Sequence, residues 1–439
     1  MARRPPRVPY ALELENAIAE LLGETLAERD ADQHGNCWWT PSRLLRAGAL
    51  MSWHEGQTLT ERFEHVRTLL EALLSEAAVP TSYNGYAQAL ARQVGPLLKA
   101  VRPRLQQSVR DLSGSRWTVH GWVVFIADGS RFEAPRTISN ETELRCAGKV
   151  RSAPQVFQTT LLHLGTNAVW DFRCGPGTAS ERRHLEDMLT DLPPRSLITA
   201  DAGFSGFELY RRLDSAGVKF LLRVGGNVTL KTLWKLRHLD VRGDEVWVWP
   251  GKQRSQPPVR LRLLRLTSER GEPVFLVTNL LDPNDLSVSA AGAIYRQRWG
   301  IEVTYRTIKQ TLNRATWLSR TARTVLAEHQ ATMLGFWLLQ LQSLRELDQA
   351  RQDLRRWSPA ASRKATRRML RNFTVVPATT DLSWRSQLGR AVKDDYHRRR
   401  SKSARNWPHK KHEPPPRPPN IQPLTKPQRQ LGEKLLKTS

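Results

Sequence analysis

The chain is poor in cysteine, in acid relative to base, and in long apolar runs. Its three cysteines, Cys37, Cys146 and Cys174, are odd in number and widely spaced. They offer neither a disulfide framework nor a zinc-ligand pattern, so free thiols in a reducing compartment are expected. No run of about 18 apolar residues occurs, and the opening MARRPPRVPYALELENAI has no signal-peptide core. The expectation is a soluble, cytoplasmic protein without membrane attachment. Acids number 42 against 68 Lys and Arg, a formal net charge of +26 at a sequence pI near 10.8. Such an excess seeks a polyanion, and nucleic acid comes first because Lys and Arg neutralising phosphates supply most sequence-independent affinity.

What is present divides by character along the 439 residues. Up to about 115, LELENAIAELLGETLAER, RFEHVRTLLEALLSEA and YAQALARQVGPLLKAVRPRL carry apolar residues at three-and-four spacing, so residues 1–115 are expected to form a helical domain and to be the DNA reader. Among them His34, Cys37, Trp38 and Trp39 cannot close a tetrahedral metal site and are read as packing. WTVHGWVVFIADGS then begins a strand-rich region. VFQTTLLHLG and NAVWDFRCG suggest a hairpin, SERRHLEDMLTDL a helix, RSLITAD a buried strand, FELYRRLDSAG a helix closed by Gly217, and VKFLLRV another strand. Residues 225–280 read as a β-rich insertion. A catalytic domain over 116–345 is thus expected, followed by a helical basic region over 346–396 and a disordered, basic, Pro-rich tail over 397–439. That tail has seven Arg or Lys between His397 and His412 and seven prolines between Pro414 and Pro427. Its expected contribution is nonspecific, salt-sensitive affinity.

Two acids, Asp128 in FIADGS and Asp201 in LITADAGF, fall at the expected carboxyl ends of buried strands, where open α/β sheets build their sites. Each precedes a small residue, which leaves room for a ligand; a structural Asp there would instead cap the following turn. A third element is read as a helix bearing Tyr295, Arg298, Glu302 and Lys309. On a continuous helix these offsets lie within about 60° of one another. Ile301, Tyr305, Ile308 and Leu312 make a separate apolar stripe, with Gly300 as a possible bend. The competing reading is a solvated face in which Glu302 pairs with Arg298 or Arg306. Three carboxylates suit two Mg²⁺ or Mn²⁺ ions about 3.5–4 Å apart, which activate a hydroxyl and stabilise a leaving oxygen in phosphodiester displacement. Cations further along the helix would position the DNA backbone.

At these residues the sequence resembles the insertion sequence 4 family of bacterial DDE transposases, marked by Tyr, two residues, Arg, three residues, Glu, six residues, Lys. Tyr295, Arg298, Glu302 and Lys309 match it in YRQRWGIEVTYRTIK, and LVTNLLDP also resembles family members. The resemblance covers about residues 120–340. It implies an RNase H-like fold with a mixed sheet, flanking helices and a β-rich insertion before the Glu helix. It also implies cut-and-paste transposition by Asp128, Asp201 and Glu302, through nicking, a hairpin on the transposon end and strand transfer. Tyr295, Arg298 and Lys309 are then expected to grip phosphates of double-stranded DNA, at terminal inverted repeats and target, in a homodimer on paired ends.

The resemblance further implies a tryptophan that stacks on a flipped base, for which Trp234, Trp247 and Trp249 are candidates. Arg131 and Arg223 are additional DNA-binding candidates. His163 and His184 are read as structural, and Trp299 as packing beneath the helix. VGGN at Gly225 lacks the spacing of a nucleotide-binding loop, so no nucleotide cofactor is expected. The rival readings are a nuclease that cuts without joining and an inactive descendant acting as a DNA-binding repressor.

Overall fold

A computed structural model describes residues 7–33, 37–74, 78–147, 153–233, 243–249, 255–268, 271–393 and 417–438. His34 and Trp234 lie outside the described residues. Contacts gather the chain into two units: Met1–Trp117, Asp128–His184 and Gly300–Lys393 form the first, and Thr118–Ala127, Leu185–Trp299 and Asp394–Ser439 the second.

The first unit begins with the expected helical region: α1 (Tyr10–Ala31), α2 (Pro41–Trp53), α3 (Leu59–Leu74) and α4 (Tyr83–Ser113). Thr40 and Ser82 cap α2 and α4 by accepting backbone N–H bonds from Arg43 and Gly85. Strand β1 (Val123–Glu133) enters this unit at Asp128, beside β2 (Gln155–His163) and β3 (Ala168–Pro176) in that order. β2 and β3 form the expected antiparallel hairpin, whose turn holds Asn167 at φ 55°. The six-residue α5 (Glu181–Glu186) follows. After the long buried helix α9 (Ala322–Gln349) come α10 (Pro359–Arg371) and α11 (Trp384–Gly389), and α2 and α4 pack on α9. Buried Arg314 donates to the carbonyls of Met51, Ser52 and His54 at 3.2, 3.0 and 3.0 Å, satisfying the end of α2 with a charge rather than water.

In the second unit the first residues of β1 pair in parallel with β4 (Ser196–Ala200), from Val123 opposite Ser196 to Ile126 opposite Thr199. β4 pairs in parallel with β5 (Lys219–Arg223), and α6 (Phe207–Ser215) joins them through Gly217 at φ 69°. Central parallel strands buried on both faces explain the apolar centres of these runs, Leu197 and Ile198 in β4 and Phe220 to Leu222 in β5. The order β1-β2-β3, with β4 parallel to β1 and β5 parallel to β4, is that of the RNase H-like fold. The β-rich segment supplies β6 (Thr229–Thr232), β7 (Asp244–Val248), β8 (Val259–Thr267) and β9 (Pro273–Thr278), joined antiparallel in series, with β9 pairing back on β5.

Two expectations are corrected here. The helix from Ala291 onward is not continuous: α7 (Val288–Arg296) ends in tight bonds, Gln297 N–H to Ile294 O and Arg298 N–H to Tyr295 O, both 3.1 Å. The chain restarts as α8 (Trp299–Arg306) and a π-helical turn, Thr307–Thr311. The single-stripe geometry therefore does not hold.

The carboxyl-terminal residues 417–438, expected to be without regular structure, form β10 (Asn420–Pro423) and α12 (Lys426–Thr438). β10 pairs in parallel with β6, where the N–H groups of Asn420 and Leu424 reach Val228 O and Thr232 O, and Gly432 backs onto the Trp247 ring. An edge strand tolerates Pro423 because the missing N–H costs no central ladder bond. The rest of the Pro-rich tail, to residue 416, lies outside the described residues. Among them no helix is long and apolar enough to cross a membrane.

Candidate active site

Asp128 does not end its strand, as the sequence had suggested; β1 runs on to Glu133. What ends at Asp128 is burial: Val123 to Ala127 are inaccessible and Asp128 to Ser130 half-buried. The carboxylate Oδ1 accepts the N–H of Gly129 at 2.9 Å. Gly129 is needed for space, because a Cβ there would lie 2.5 Å from Phe157 Cζ and 3.1 Å from Glu181 Oε2. Arg131 lies with its guanidinium carbon 4.6 Å from the centre of the Phe157 ring.

Behind Asp128 stands Tyr305 of α8, its hydroxyl 2.8 Å from Asp128 O and 3.1 Å from Thr160 Oγ1. Burial pushes this phenol well above its ordinary pKa, so it stays a neutral donor. Glu302 is half-buried on the same helix, three residues earlier and so on the neighbouring part of the face that Tyr305 fixes against β1. Lys309, in the π-helical turn, donates to Ser130 Oγ at 2.8 Å and lies 4.9 Å from the centre of the Phe132 ring. Burial lowers its pKa and Glu133 partly restores it. The first unit thus brings Asp128, Arg131 and Lys309 together with Ser130, Tyr305 and Glu181, the last three not placed at the site by the sequence reading, and it also holds Glu302, on the helix of Tyr305. Ser130 had a usable signal, standing two residues after Asp128 on the same strand face. Glu181 had none.

The second unit holds Asp201, Arg223, Tyr295 and Arg298. Asp201 follows β4 directly, and its Oδ1 accepts the Gly203 N–H at 2.8 Å, the turn-capping bond of a structural Asp. The loop is tied on by Asn227, whose Nδ2 donates to Ala202 O at 3.2 Å, and by Ser205, whose hydroxyl donates to Arg223 O at 2.5 Å. Tyr295 is half-buried, and burial raises its phenol pKa while Arg298 and Arg223 lower it and Asp201 raises it. Those four side chains therefore share one electrostatic neighbourhood. The Arg298 guanidinium carbon lies 6.0 Å from the Tyr295 ring centre.

Trp247 and Trp249 are both buried, at 3 % and 7 % exposure, and Trp249 lines a cavity of about 390 Å³ with Phe207, Asn227 and Lys231. Trp299 is corrected: at 57 % exposure it packs beneath nothing, because the break before α8 turns it outward. His163 is buried and bonded to Thr166 and Trp117, and His184 to Thr159, both packing roles. Among the described residues no three or more His, Cys, Asp or Glu side chains are gathered closely enough to hold a metal ion.

Residues 121–339 match the family model described as a transposase DDE domain. The chain is 25% identical over 238 residues to the transposase InsG for insertion sequence element IS4 of Escherichia coli K12, covering 51% of this chain and 53% of that one. It is 28% identical over 148 residues to the putative transposase y4zB of Sinorhizobium fredii, covering 32% and 41%. The chain thus spans about half the length of the curated relatives it matches. Among solved structures, the piggyBac transposase synaptic complex with hairpin DNA aligns over 92% of this chain and 91% of that one, at 11% identity and a TM-score of 0.41, a likeness too remote to bear on the site. The family match encloses Asp128, Asp201 and Glu302 in order, with the Tyr-Arg-Glu-Lys signature around the glutamate, and the chain belongs to the DDE transposases of the insertion sequence 4 type.

Proposed function

We propose that the protein cuts the ends of a mobile DNA element and joins them to target DNA, with Asp128, Asp201 and Glu302 as its catalytic carboxylates. The observation that carries this is the family match over 121–339, which spans all three acids. Their hard oxygen donors suit Mg²⁺ or Mn²⁺; these three carboxylates would hold such ions, which would supply Lewis-acid stabilisation of the attacking and leaving oxygens.

In this reading the chain's own residues position the DNA. Arg298 and Lys309 grip phosphates beside the cleaved bond, and Tyr295 steadies Arg298. Lys309 has three N–H donors, so it keeps its bond to the Ser130 hydroxyl, which aims it, and gives another to a phosphate oxygen. Arg131 and Arg223 extend the grip, and Trp249, beside its cavity, is the tryptophan we assign to a flipped base. The helical region 1–115 reads the terminal repeats. Two copies bring two ends together, in the cytoplasm on nucleoid DNA.

The test is cleavage of labelled DNA carrying the element's own ends, with Mg²⁺ or Mn²⁺, by wild type and by Asp128→Asn, Asp201→Asn and Glu302→Gln. The expected outcome is nicking by wild type, with all three variants binding but not cutting. A variant that cuts normally removes that acid from the assignment. Wild type that binds the ends without cutting makes the protein a repressor.

A further inference from the structure

Helix α10 carries Arg363, Lys364, Arg367, Arg368 and Arg371 and no acid. Ser358 caps it by accepting the Ala361 N–H. Its apolar side, Ala365, Met369 and Leu370, is buried. Lys364, Arg368 and Arg371 are exposed, and offsets of four and seven residues set them on one stripe about 10 Å long. Arg363 and Arg367 flank that stripe, half-buried, each with its Nε buried and without a hydrogen-bond partner among the described residues. One glutamate, Glu55, pairs with both Arg367 and Arg371, the latter at 3.3 Å and 71 % exposed. Further in, Arg314 is pushed down to about 9, chiefly by burial and then by Arg62, Arg367 and Arg363 around it. Glu328 opposes that shift, whereas on α10 itself five cations meet one paired acid, Glu55, among the described residues, and that excess suits an anion from outside. α10 also packs on the π-helical turn that carries Lys309.

We propose that the Lys364–Arg368–Arg371 stripe of α10 is a docking surface for the sugar-phosphate backbone of duplex DNA, continuing the track that starts at Lys309. The inference rests on the DNA-processing reading above and adds a surface to it. The stripe offers charge without base-reading amides, so its contribution is positional and independent of sequence. An anionic membrane is the poorer fit, because a helix lying on lipid needs its apolar side exposed, and the apolar side of α10 is covered.

The experiment is fluorescence anisotropy of full-length protein on a labelled 30-base-pair duplex of unrelated sequence, across a KCl series. It compares wild type, the triple variant Lys364→Gln, Arg368→Gln, Arg371→Gln, and a charge-matched control outside both α10 and the amino-terminal helices, Arg211→Gln, Arg212→Gln, Arg390→Gln, whose arginines are each paired with an acid. Glutamine keeps helix propensity, and far-UV circular dichroism verifies folding. Loss of three phosphate contacts should flatten the slope of log affinity against log salt by about 2.7 and weaken binding about a hundredfold at 0.15 M salt. The control should keep the wild-type slope. A triple variant with the wild-type slope overturns the α10 surface alone. A loss seen on anionic vesicles but not on duplex overturns it in favour of lipid. A wild type that does not bind duplex overturns both this surface and the DNA reading.

Discussion

Replacing His329 by Phe should leave the protein nearly as stable at pH 7 and make it less sensitive to acid. His329 is fully buried in α9, with its ring 5.0 Å from those of Phe132 and Trp317 and neither nitrogen hydrogen-bonded among the described residues. Burial holds its pKa down to about 3, against about 6.5 in an unfolded chain. Between those values the unfolded state binds a proton that the folded state refuses, so stability falls as pH falls through that window. The loss is about 1.4 kcal/mol per pH unit, or about 2 kcal/mol by pH 5. His163, held down to about 4 by burial, adds a similar loss. Phe removes the proton-binding difference and an unsatisfied polar group worth about 1–3 kcal/mol, while its extra volume costs a comparable amount. The assay is urea unfolding followed by tryptophan fluorescence at pH 7 and pH 5. His329→Phe should lose about 2 kcal/mol less than wild type between the two. An equal loss in both proteins would refute the buried-neutral histidine.

Two further outcomes test the site. Ser130→Ala removes the hydroxyl that holds Lys309 at 2.8 Å and should slow end cleavage about tenfold, in keeping with one hydrogen bond to a charged group, while Ser130→Thr restores it; equal rates for all three would release Ser130 from a positioning role. Trp299→Ala, at 57 % exposure, should change unfolding free energy by less than about 0.5 kcal/mol, and a loss of several kcal/mol would return the ring to the core.

Where the sequence reading succeeded, the signal was local and redundant. Val123 to Ala127 and Ser196 to Ala200 are short and mostly apolar, and each leads into an acid, so strand and burial follow from one stretch of chain, although the run of β1 past Asp128 to Glu133 did not. The Tyr295-to-Lys309 spacing named the family for the same reason. Its geometry was not legible, because helical periodicity assumes an uninterrupted helix and contains no information on what lies opposite Gly300. There a Cβ would come within 2.8 Å of Asn167 Oδ1, on a hairpin more than a hundred residues earlier. That approach constrains the start of α8, and with it the outward turn of Trp299. The pairings of β9 with β5 and β10 with β6 were hidden in the same way, since each joins segments distant in sequence. His329 was hidden differently. It stands among apolar residues at helical spacing, where a lone histidine is indistinguishable from one more core position, and only the absence of a bonded neighbour among the described residues reveals it as a group whose protonation the fold opposes.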